Sequence, residues 1–391
     1  MTYLYWIAGT ILALAWASRI IDAALGMPSV ADVSRPEWDR NLVSPSGSPR
    51  VSIIVPARNE AEHIQETLRR LLALEYPNYE IIAVNDRSTD HTGSLMEEIA
   101  ASSSAHGLLR IVHIKELPTG WLGKTHAMWT ASEQATGDWL LFTDADVLFK
   151  PDTLRRAVAY AEAERADHVV VFPRMIMLNP GERMMMAFFQ TLFMFGHRLW
   201  KVADPRARDY IGVGAFNLVQ SSAYEAVGTY RALRMEILDD MKMGKLIKNA
   251  HFSQRCVFGG DLVSLRWAKG AFGIVDNLTK NFYALLSFQW WRTIGSVVAV
   301  AFLNLGPFLG VWFAHGWARV PYAIALASIF LTYCGMSSLS AVRPYYFFLH
   351  PVSTSLFMYT LMRSMFHTLW NDGVIWRGTK YPLEELRKGL V

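Results

Sequence analysis

Trp139–Phe149 reads WLLFTDADVLF. Its first four residues are apolar and partly aromatic, and the run stops at Thr143. A short, bounded run of this kind predicts a buried strand rather than a helix. Asp144 and Asp146 then lie at the strand's C-terminal tip, where residues two apart on extended chain point the same way. Open α/β sheets bind ligands at such tips. Two hard oxygen donors there suit Mg2+ or Mn2+ carrying substrate phosphates. An Asp-rich turn that merely ends a strand would look the same locally, so the surrounding chain has to decide.

Strand–helix alternation surrounds this stretch. Val51–Val55 (VSIIV) reads as a buried strand broken at Pro56-Ala57-Arg58-Asn59-Glu60. Glu60–Leu74 carries Ile64, Leu68, Leu71 and Leu72 at helical spacing. Glu80–Val84 is a second strand, and Thr89 or Asp90 can cap a helix over Thr92–Ala100. Leu109–Ile114 is a third strand, followed by a helix over Thr125–Gln134. After the Trp139–Thr143 strand come a helix over Pro151–Arg165, with proline near its first turn, and a strand at His168–Phe172. This order argues α/β architecture with a doubly wound, mostly parallel sheet.

Composition limits the function classes. A chain of 391 residues can hold one large or two ordinary domains. Hydrophobic residues make up 52% and mean hydropathy is +0.17, which points to partial membrane residence. A net charge of +4 with no long basic run gives no footprint for nucleic acid. Cys256 and Cys334 fall in segments of different character, so no disulfide framework is implied, and a reducing cytosolic side suits the globular part. No Cys/His cluster has zinc spacing.

The predicted strand tips gather chemistry. Asp86 follows one strand, and Asp144 with Asp146 follows another. Between them lies Leu117-Pro-Thr-Gly-Trp-Leu-Gly-Lys-Thr125, a glycine-rich loop with Lys124 at a helix start. Backbone N–H groups plus Lys124 suit a phosphate, although the glycine spacing is not that of a Walker A loop. A lysine at a helix start can equally be a solvated charge.

Taken in order, VSIIVPARNE (Val51–Glu60), VNDRSTD (Val84–Asp90), GWLGK (Gly120–Lys124) and LFTDAD (Leu141–Asp146) resemble the donor-binding half of a family-2 glycosyltransferase. The resemblance runs from Val51 to Asn281 and implies the GT-A fold and transfer with inversion. It implies that Pro56, Ala57, Arg58 and Glu60 line the nucleotide base pocket. Asp86 would hold the uracil or ribose part, Asp144 the ribose or phosphates, and Asp146 a divalent metal, Mn or Mg. Glu236-Ile-Leu-Asp239-Asp240 opens a helical stretch over Met241–Lys248, where two aspartates could simply complement the helix dipole. The family places an acidic pair here, and its second member, which maps to Asp240, is the catalytic base. An inverting transfer is one in-line displacement and needs one such carboxylate. Leu265-Arg266-Trp267 resembles the end of the family's Gln/Arg-x-x-Arg-Trp motif, but Val263 stands at its first position. That departure argues against a processive polysaccharide synthase. Arg266 would contact the diphosphate, with Trp267 beside it, or it is a snorkelling arginine next to a buried Trp. Gly270–Leu285, with Lys280-Asn281, looks like members that glycosylate single lipids of the ceramide, hopanoid or carotenoid type.

Thr2–Ser18 is apolar and ends at Arg19, near the lower length limit for a span. No basic segment precedes it and no small-residue cleavage site follows, so an anchor is expected rather than a removable signal peptide. Arg19, Arg35, Arg40 and Arg50 follow, which predicts a cytoplasmic catalytic domain. Met184–Trp200 is apolar but interrupted by Gln190, Gly196, His197 and Arg198. It reads as an interfacial helix guiding a lipid, or as plain core. Thr293–Ala314, Val320–Ala341 and Tyr345–Leu369 are three candidate spans. Arg363 and His367 would snorkel to the interface or line an acceptor groove. Asn371–Tyr381 (NDGVIWRGTKY) resembles a Trp-Arg-Gly motif of lipid-acting members and would have to reach the active site. Three full crossings would leave it on the wrong side, so one segment is expected to be re-entrant or interfacial, or the motif is structural.

The expected organisation is an anchor over residues 1–22, a linker over 23–50 and a glycosyltransferase domain over 51–287. Membrane segments would cover 288–370 and a cytoplasmic or interfacial tail 371–391. The expected function is transfer of a sugar from a nucleotide sugar, a UDP-sugar first, to a membrane lipid acceptor at a bacterial-type multi-pass inner membrane. A polyisoprenyl-phosphate acceptor or a processive synthase is the enzyme alternative. A catalytically silent membrane scaffold is the alternative outside enzymes, and a multi-span transporter leaves the acidic strand tips unexplained.

Overall fold

The computed structural model describes residues 2–40, 47–102, 105, 107–337, 340 and 342–391. Within the linker, 41–46 lie outside the described residues, as do 338, 339 and 341 at the end of the second candidate span. The chain forms two compact units, neither continuous in sequence. A sheet unit comprises Val30–Arg174, Leu199–Arg266 and Arg377–Val391. A helical unit comprises Met1–Ser29, Met175–Arg198 and Trp267–Trp376.

Strands β1 (Val51–Ala57), β2 (Tyr79–Asp86), β3 (Leu109–Ile114) and β4 (Trp139–Phe142) appear where alternation predicted them. The short β5 (Leu148–Phe149) follows, then β6 (His168–Phe172) and the two-residue β7 (Arg174–Met175). β8 (Asn217–Gln220), β9 (Gln254–Phe258) and β10 (Val263–Leu265) complete the sheets of this unit. Seven strands form the main sheet in the order β3-β2-β1-β4-β8-β6-β9. β1 pairs in parallel with β2 and β4, β2 with β3, and β6 with β9. β8 runs antiparallel to both of its neighbours. The sheet is therefore mostly parallel, with one reversal in the middle.

Every residue of β1 is buried, as a strand covered on both faces must be. Its polar member, Ser52, meets Glu80 across the register, donating to Oε1 at 2.7 Å. Thr136 adds its amide and hydroxyl to the same carboxylate oxygen. These groups lie near the strand starts, so this buried network fixes the end of the sheet opposite the ligand tips. One face of the sheet packs on a core that includes Ile54, Val84, Phe142, Tyr230 and Met243.

In the helical unit, Thr2–Gly26, Trp290–Val300 and Val320–Ser337 are helices, and three segments are long and apolar enough to cross a membrane. They are Tyr3–Ser29, Trp290–Phe313 and Gly316–Ser337. The His350–Trp370 helix is long enough but is not among them. It buries Ser353, Thr354, Thr360, Ser364 and Thr368, and these hydroxyls lower its hydropathy. A π-turn over Ala301–Leu305 precedes Pro307. Proline has no N–H to offer the carbonyl four residues back, at Leu303, and the Trp16 indole takes that carbonyl at 2.8 Å. The predicted 184–200 helix is observed at Pro180–Gly196, opened by a capping box in which Asn179 Oδ1 accepts from the Glu182 amide. Met185, Met186, Ala187 and Phe188 on it are buried among side chains of this unit, including Ile274 and Phe357.

Candidate functional site

Parallel register brings the strand ends to one edge. Ile54 lies beside Phe142, and Ala57 beside Asn85, so the segments after β1, β2 and β4 emerge together. They carry Arg58, Asp86, Asp144 and Asp146. β8 starts at the same edge, because Phe142 pairs with Asn217. Residues 212–216 therefore run alongside 143–146. The Asp144 amide donates to the Gly214 carbonyl at 3.0 Å, and Thr143 Oγ1 to the Ala215 carbonyl at 2.8 Å.

Two glycines in this segment have no room for a side chain. A Cβ on Gly212 would fall 1.7 Å from the Asp240 carbonyl oxygen, and one on Gly214 would fall 2.5 Å from Asp144 Oδ2. Gly212 thus lets the Asp239–Asn249 helix start directly against the strand edge. Gln254 holds the arrangement from below. Its Oε1 accepts from the Ile211 amide at 3.1 Å, and its Nε2 reaches the Ile211 and Gly244 carbonyls. His168, buried beside Gln254 and Asn217, is pushed down by burial to about 4 and stays neutral.

Lys124, Asp144, Asp239 and Asp240 meet here. Lys124 Nζ lies 2.8 Å from Asp144 Oδ1 and 3.4 Å from Asp239 Oδ1. Asp240 Oδ2 accepts from the Gly214 amide at 2.8 Å and Oδ1 from the Met241 amide at 2.7 Å. Burial alone would make Lys124 lose its proton more easily, but Asp144, Asp239 and Asp240 together hold it well above the usual lysine range. Asp239 is pushed up to about 7, by burial first, with Asp240 and Asp144 adding repulsion that Lys124 partly offsets. Asp240 is raised for the same reason, with Lys124 and the two amides opposing. Lys124 therefore serves as counter-ion to an acidic cluster. Its ammonium is directed at carboxylates, which differs from the phosphate-binding reading of the glycine-rich loop.

Asp146 sits next to this cluster. Burial, then Asp144 and Glu60, push its carboxyl up to about 7. Among the described residues no three His, Cys, Asp or Glu side chains converge as a ready-made cation cage. Two crowded carboxylates nevertheless match a hard cation whose remaining ligands are phosphates and water.

Further along the edge, Arg87 grips Asp86 with both ends of its fork, at 2.7 and 3.0 Å. Arg58 approaches the same carboxylate at 4.0 Å, while its buried Nε has no protein partner. Asn59 and Arg87 both have φ of +54, backbone strain of the kind that gathers at ligand sites. Gly123 lies against Asp86 and Arg87, where a Cβ would come within 2.4 Å of Asp86 Oδ2. Its amide donates to the Tyr381 hydroxyl at 3.1 Å. Arg377 bonds the Glu60 carboxylate and the Arg58 carbonyl.

The structure thus brings together Arg58, Glu60, Asp86, Lys124, Asp144, Asp146, Asp239 and Asp240, and buries Ala57 at the end of β1. Pro56 is buried within that strand. Arg266 follows β10, and Trp267 belongs to the helical unit, where it packs on Phe189 at 4.9 Å and its carbonyl accepts from Asn277. Sequence reading missed Gly212, Gly214 and the interior role of Lys124. The Gly212-Val-Gly214 spacing was the available signal, since paired glycines mark close backbone approach. Nothing local ties residue 377 to residue 60.

The chain resembles known proteins over this region. Residues 52–241 match the family model described as glycosyl transferase family 2. A 4,4'-diaponeurosporenoate glycosyltransferase of Staphylococcus haemolyticus (strain JCSC1435) is 22% identical over 234 residues, 59% of this chain and 60% of that one. The chain thus spans about three fifths of that relative's length. The protein of the same name from Staphylococcus aureus (strain MRSA252) is 20% identical over 86% of this chain and 89% of its own. A mannosyltransferase from Pyrobaculum calidifontis, solved in complex with GDP-Man and Mn2+, superposes with a TM-score of 0.54. It is 21% identical and covers 94% of this chain and 99% of that one. Residues 52–241 thus carry a domain of the glycosyl transferase family 2 type, and the chain has the GT-A fold.

Proposed function

We propose that this glycosyltransferase moves a hexose from a nucleotide sugar to a hydroxyl or carboxyl of a lipid-like acceptor, with inversion and with Asp240 as the base. The observation that carries this reading is the Lys124–Asp144–Asp239–Asp240 cluster at the C-terminal edge of the sheet. Asp240 takes the acceptor's proton as the new C1–O bond forms and the bond from C1 to the diphosphate breaks. Two backbone amides fix its carboxylate, and each oxygen keeps a lone pair for that proton. Lys124 and the two amides oppose the burial that raises Asp240, and so favour the ionised base. Asp144 and Asp146 would hold a divalent cation, Mn2+ or Mg2+, which when bound offsets charge growing on the leaving diphosphate. Burial and then crowding by Asp144 and Glu60 raise Asp146, and such a cation would offset them.

A UDP-sugar is the first donor to consider. GDP-mannose stands beside it, because the superposed mannosyltransferase was solved with that donor. The name of the relatives, diaponeurosporenoate glycosyltransferase, supports a lipid-like acceptor. Arg19, Arg35, Arg40 and Arg50 after the first apolar helix favour a cytoplasmic catalytic domain. With Trp290–Phe313 and Gly316–Ser337 as a hairpin and His350–Trp370 not crossing, Arg377 would fall on the cytoplasmic side. That arrangement would avoid the sidedness conflict posed by three full C-terminal crossings.

The test is nucleoside diphosphate release by detergent-purified protein, with UDP-sugars or GDP-mannose, Mn2+ or Mg2+, and lipid extract. Release from one donor that needs the metal, rises with lipid and is lost in Asp146→Ala is the expected result. Full metal-dependent release by Asp146→Ala would remove that residue from the site. No release from any donor would overturn the reading.

A further inference from the structure

We propose that Arg377 is a donor-binding residue that contacts the diphosphate of the nucleotide, carried to the strand tips by a segment far from them in sequence. The inference rests on the nucleotide-sugar reading of the same site. Four cations stand along this edge: Arg58, Arg87, Lys124 and Arg377. Arg87 is spent on Asp86, forked at 2.7 and 3.0 Å, and only 17% of its side chain is exposed. Arg58 faces the same aspartate with 17% exposure. Lys124 is enclosed between Asp144 and Asp239. Arg377 differs, with 41% of its side chain exposed.

Its two bonds position it without exhausting it. One guanidinium nitrogen donates to the Arg58 carbonyl and the other to Glu60, a largely buried carboxylate. A guanidinium has five N–H donors in a planar fork, and the remaining ones match phosphate oxygens. The backbone here is set for this purpose. Arg377 has φ of +46 and Gly378 of +77, a tight reversal that turns the side chain back toward β1. Downstream, Tyr381 is buried and receives the Gly123 amide, Leu386 is fully buried, and the Val391 carbonyl accepts from Lys245 at 3.1 Å. The segment is thus pinned on both sides of the acidic edge. Charge balance asks for such a group. Glu60, Asp86, Asp144, Asp146, Asp239 and Asp240 line this edge, and a diphosphate adds more negative charge to it. A cation with unused donors beside Glu60 and Arg58 is the side chain able to receive that charge.

The experiment compares nucleoside with nucleoside diphosphate by calorimetry on the full-length protein, using uridine against UDP and guanosine against GDP with Mn2+. Arg377→Ala should weaken the diphosphate form about tenfold to about a hundredfold and leave the nucleoside unchanged. Arg377→Lys should recover part of the loss, because it restores charge but not the fork. Equal affinity of Arg377→Ala and wild type for the diphosphates would overturn the inference, as would a parallel loss of nucleoside binding, which marks collapse of the site. Wild-type protein that binds neither nucleotide pair would overturn the donor reading beneath it.

Discussion

In the sheet unit Glu80, Asp86, Arg156, Glu236 and Asp239 are buried, whereas in the helical unit Glu182 is the one buried charged side chain among the described residues. The five are answered by opposite charge. Glu80 has Arg110 at 3.2 Å, Asp86 has Arg87, Arg156 has Asp152 and Asp39, Glu236 has Lys242 at 3.3 Å, and Asp239 has Lys124. Glu182 takes N–H groups from Leu178, Asn179 and Gly270 at 2.7 to 2.8 Å, tying two helix starts together. The remaining buried polar groups of the helical unit are mostly hydroxyls. Thr191, Thr279, Ser328, Thr332, Thr354, Thr360 and Thr368 each donate to the carbonyl four residues back on their own helix. Each such hydroxyl finds its acceptor on its own helix, so no neighbouring element has to supply one. A unit that keeps ion pairs at its edge can instead trade them for the charges of a substrate. The comparison separates buried charges answered by opposite charge from buried hydroxyls answered by their own helix.

Three substitutions sharpen or break that division. Asp240→Asn should lower the transfer rate by about a thousandfold or more while donor affinity stays within about twofold, measured by turnover and calorimetry. Wild-type turnover in this variant would place the base elsewhere.

Lys124→Met should cost about 3–5 kcal/mol in stability, because it leaves Asp144, Asp239 and Asp240 without their cation. Its pH signature follows from sign. Lys124 holds the carboxyls of Asp239 and Asp240 down, and both already stand above the usual range. Without it both rise further, so the acid limb of the rate profile moves to higher pH. The folded state then binds more protons than the unfolded chain between about pH 4 and the raised values. The stability deficit is therefore smallest at low pH and grows as pH rises through that window. An unmoved acid limb in a folded variant would show that Lys124 does not tune the base.

Glu182→Gln should cost about 1–3 kcal/mol, since an amide nitrogen cannot accept all of the N–H groups it meets. Turnover per folded molecule should stay unchanged. A turnover loss without a shift in melting temperature would erase the contrast between the units.

Much of the catalytic half was legible because parallel strands buried on both faces leave uninterrupted apolar runs. His168–Phe172 fell at its expected bounds and β1 and β2 ran only a few residues longer, while the edge strand Leu109–Ile114 matched its bounds although little of it is buried. β8 was not seen. Asn217–Gln220 is four residues long, half polar, and its place beside β4 depends on pairing rather than periodicity. Lys124 was found by its glycine-rich loop, but its partners come from the tip of β4 and from a helix start more than a hundred residues on, so no local pattern could assign them. The Trp-Arg-Gly motif was noticed, yet the bond between Arg377 and Glu60 spans 317 positions. The Tyr345–Leu369 segment looked like a span by length. Its hydroxyl-bearing face is plain in the sequence but acquires meaning only once that face is buried.

One detail of the helical unit bears on how the protein can be handled. Pro307 releases the Leu303 carbonyl and Trp16 takes it, while Tyr322 donates to the Tyr5 carbonyl at 2.9 Å. Gly9 lies so close to Pro321 and Tyr322 that a methyl group there would come within 2.9 Å of both. The first helix is therefore a fitted component and not a leash. Trimming it for expression, or exchanging it for a generic apolar segment, would leave a bare carbonyl and an open seam in the bundle.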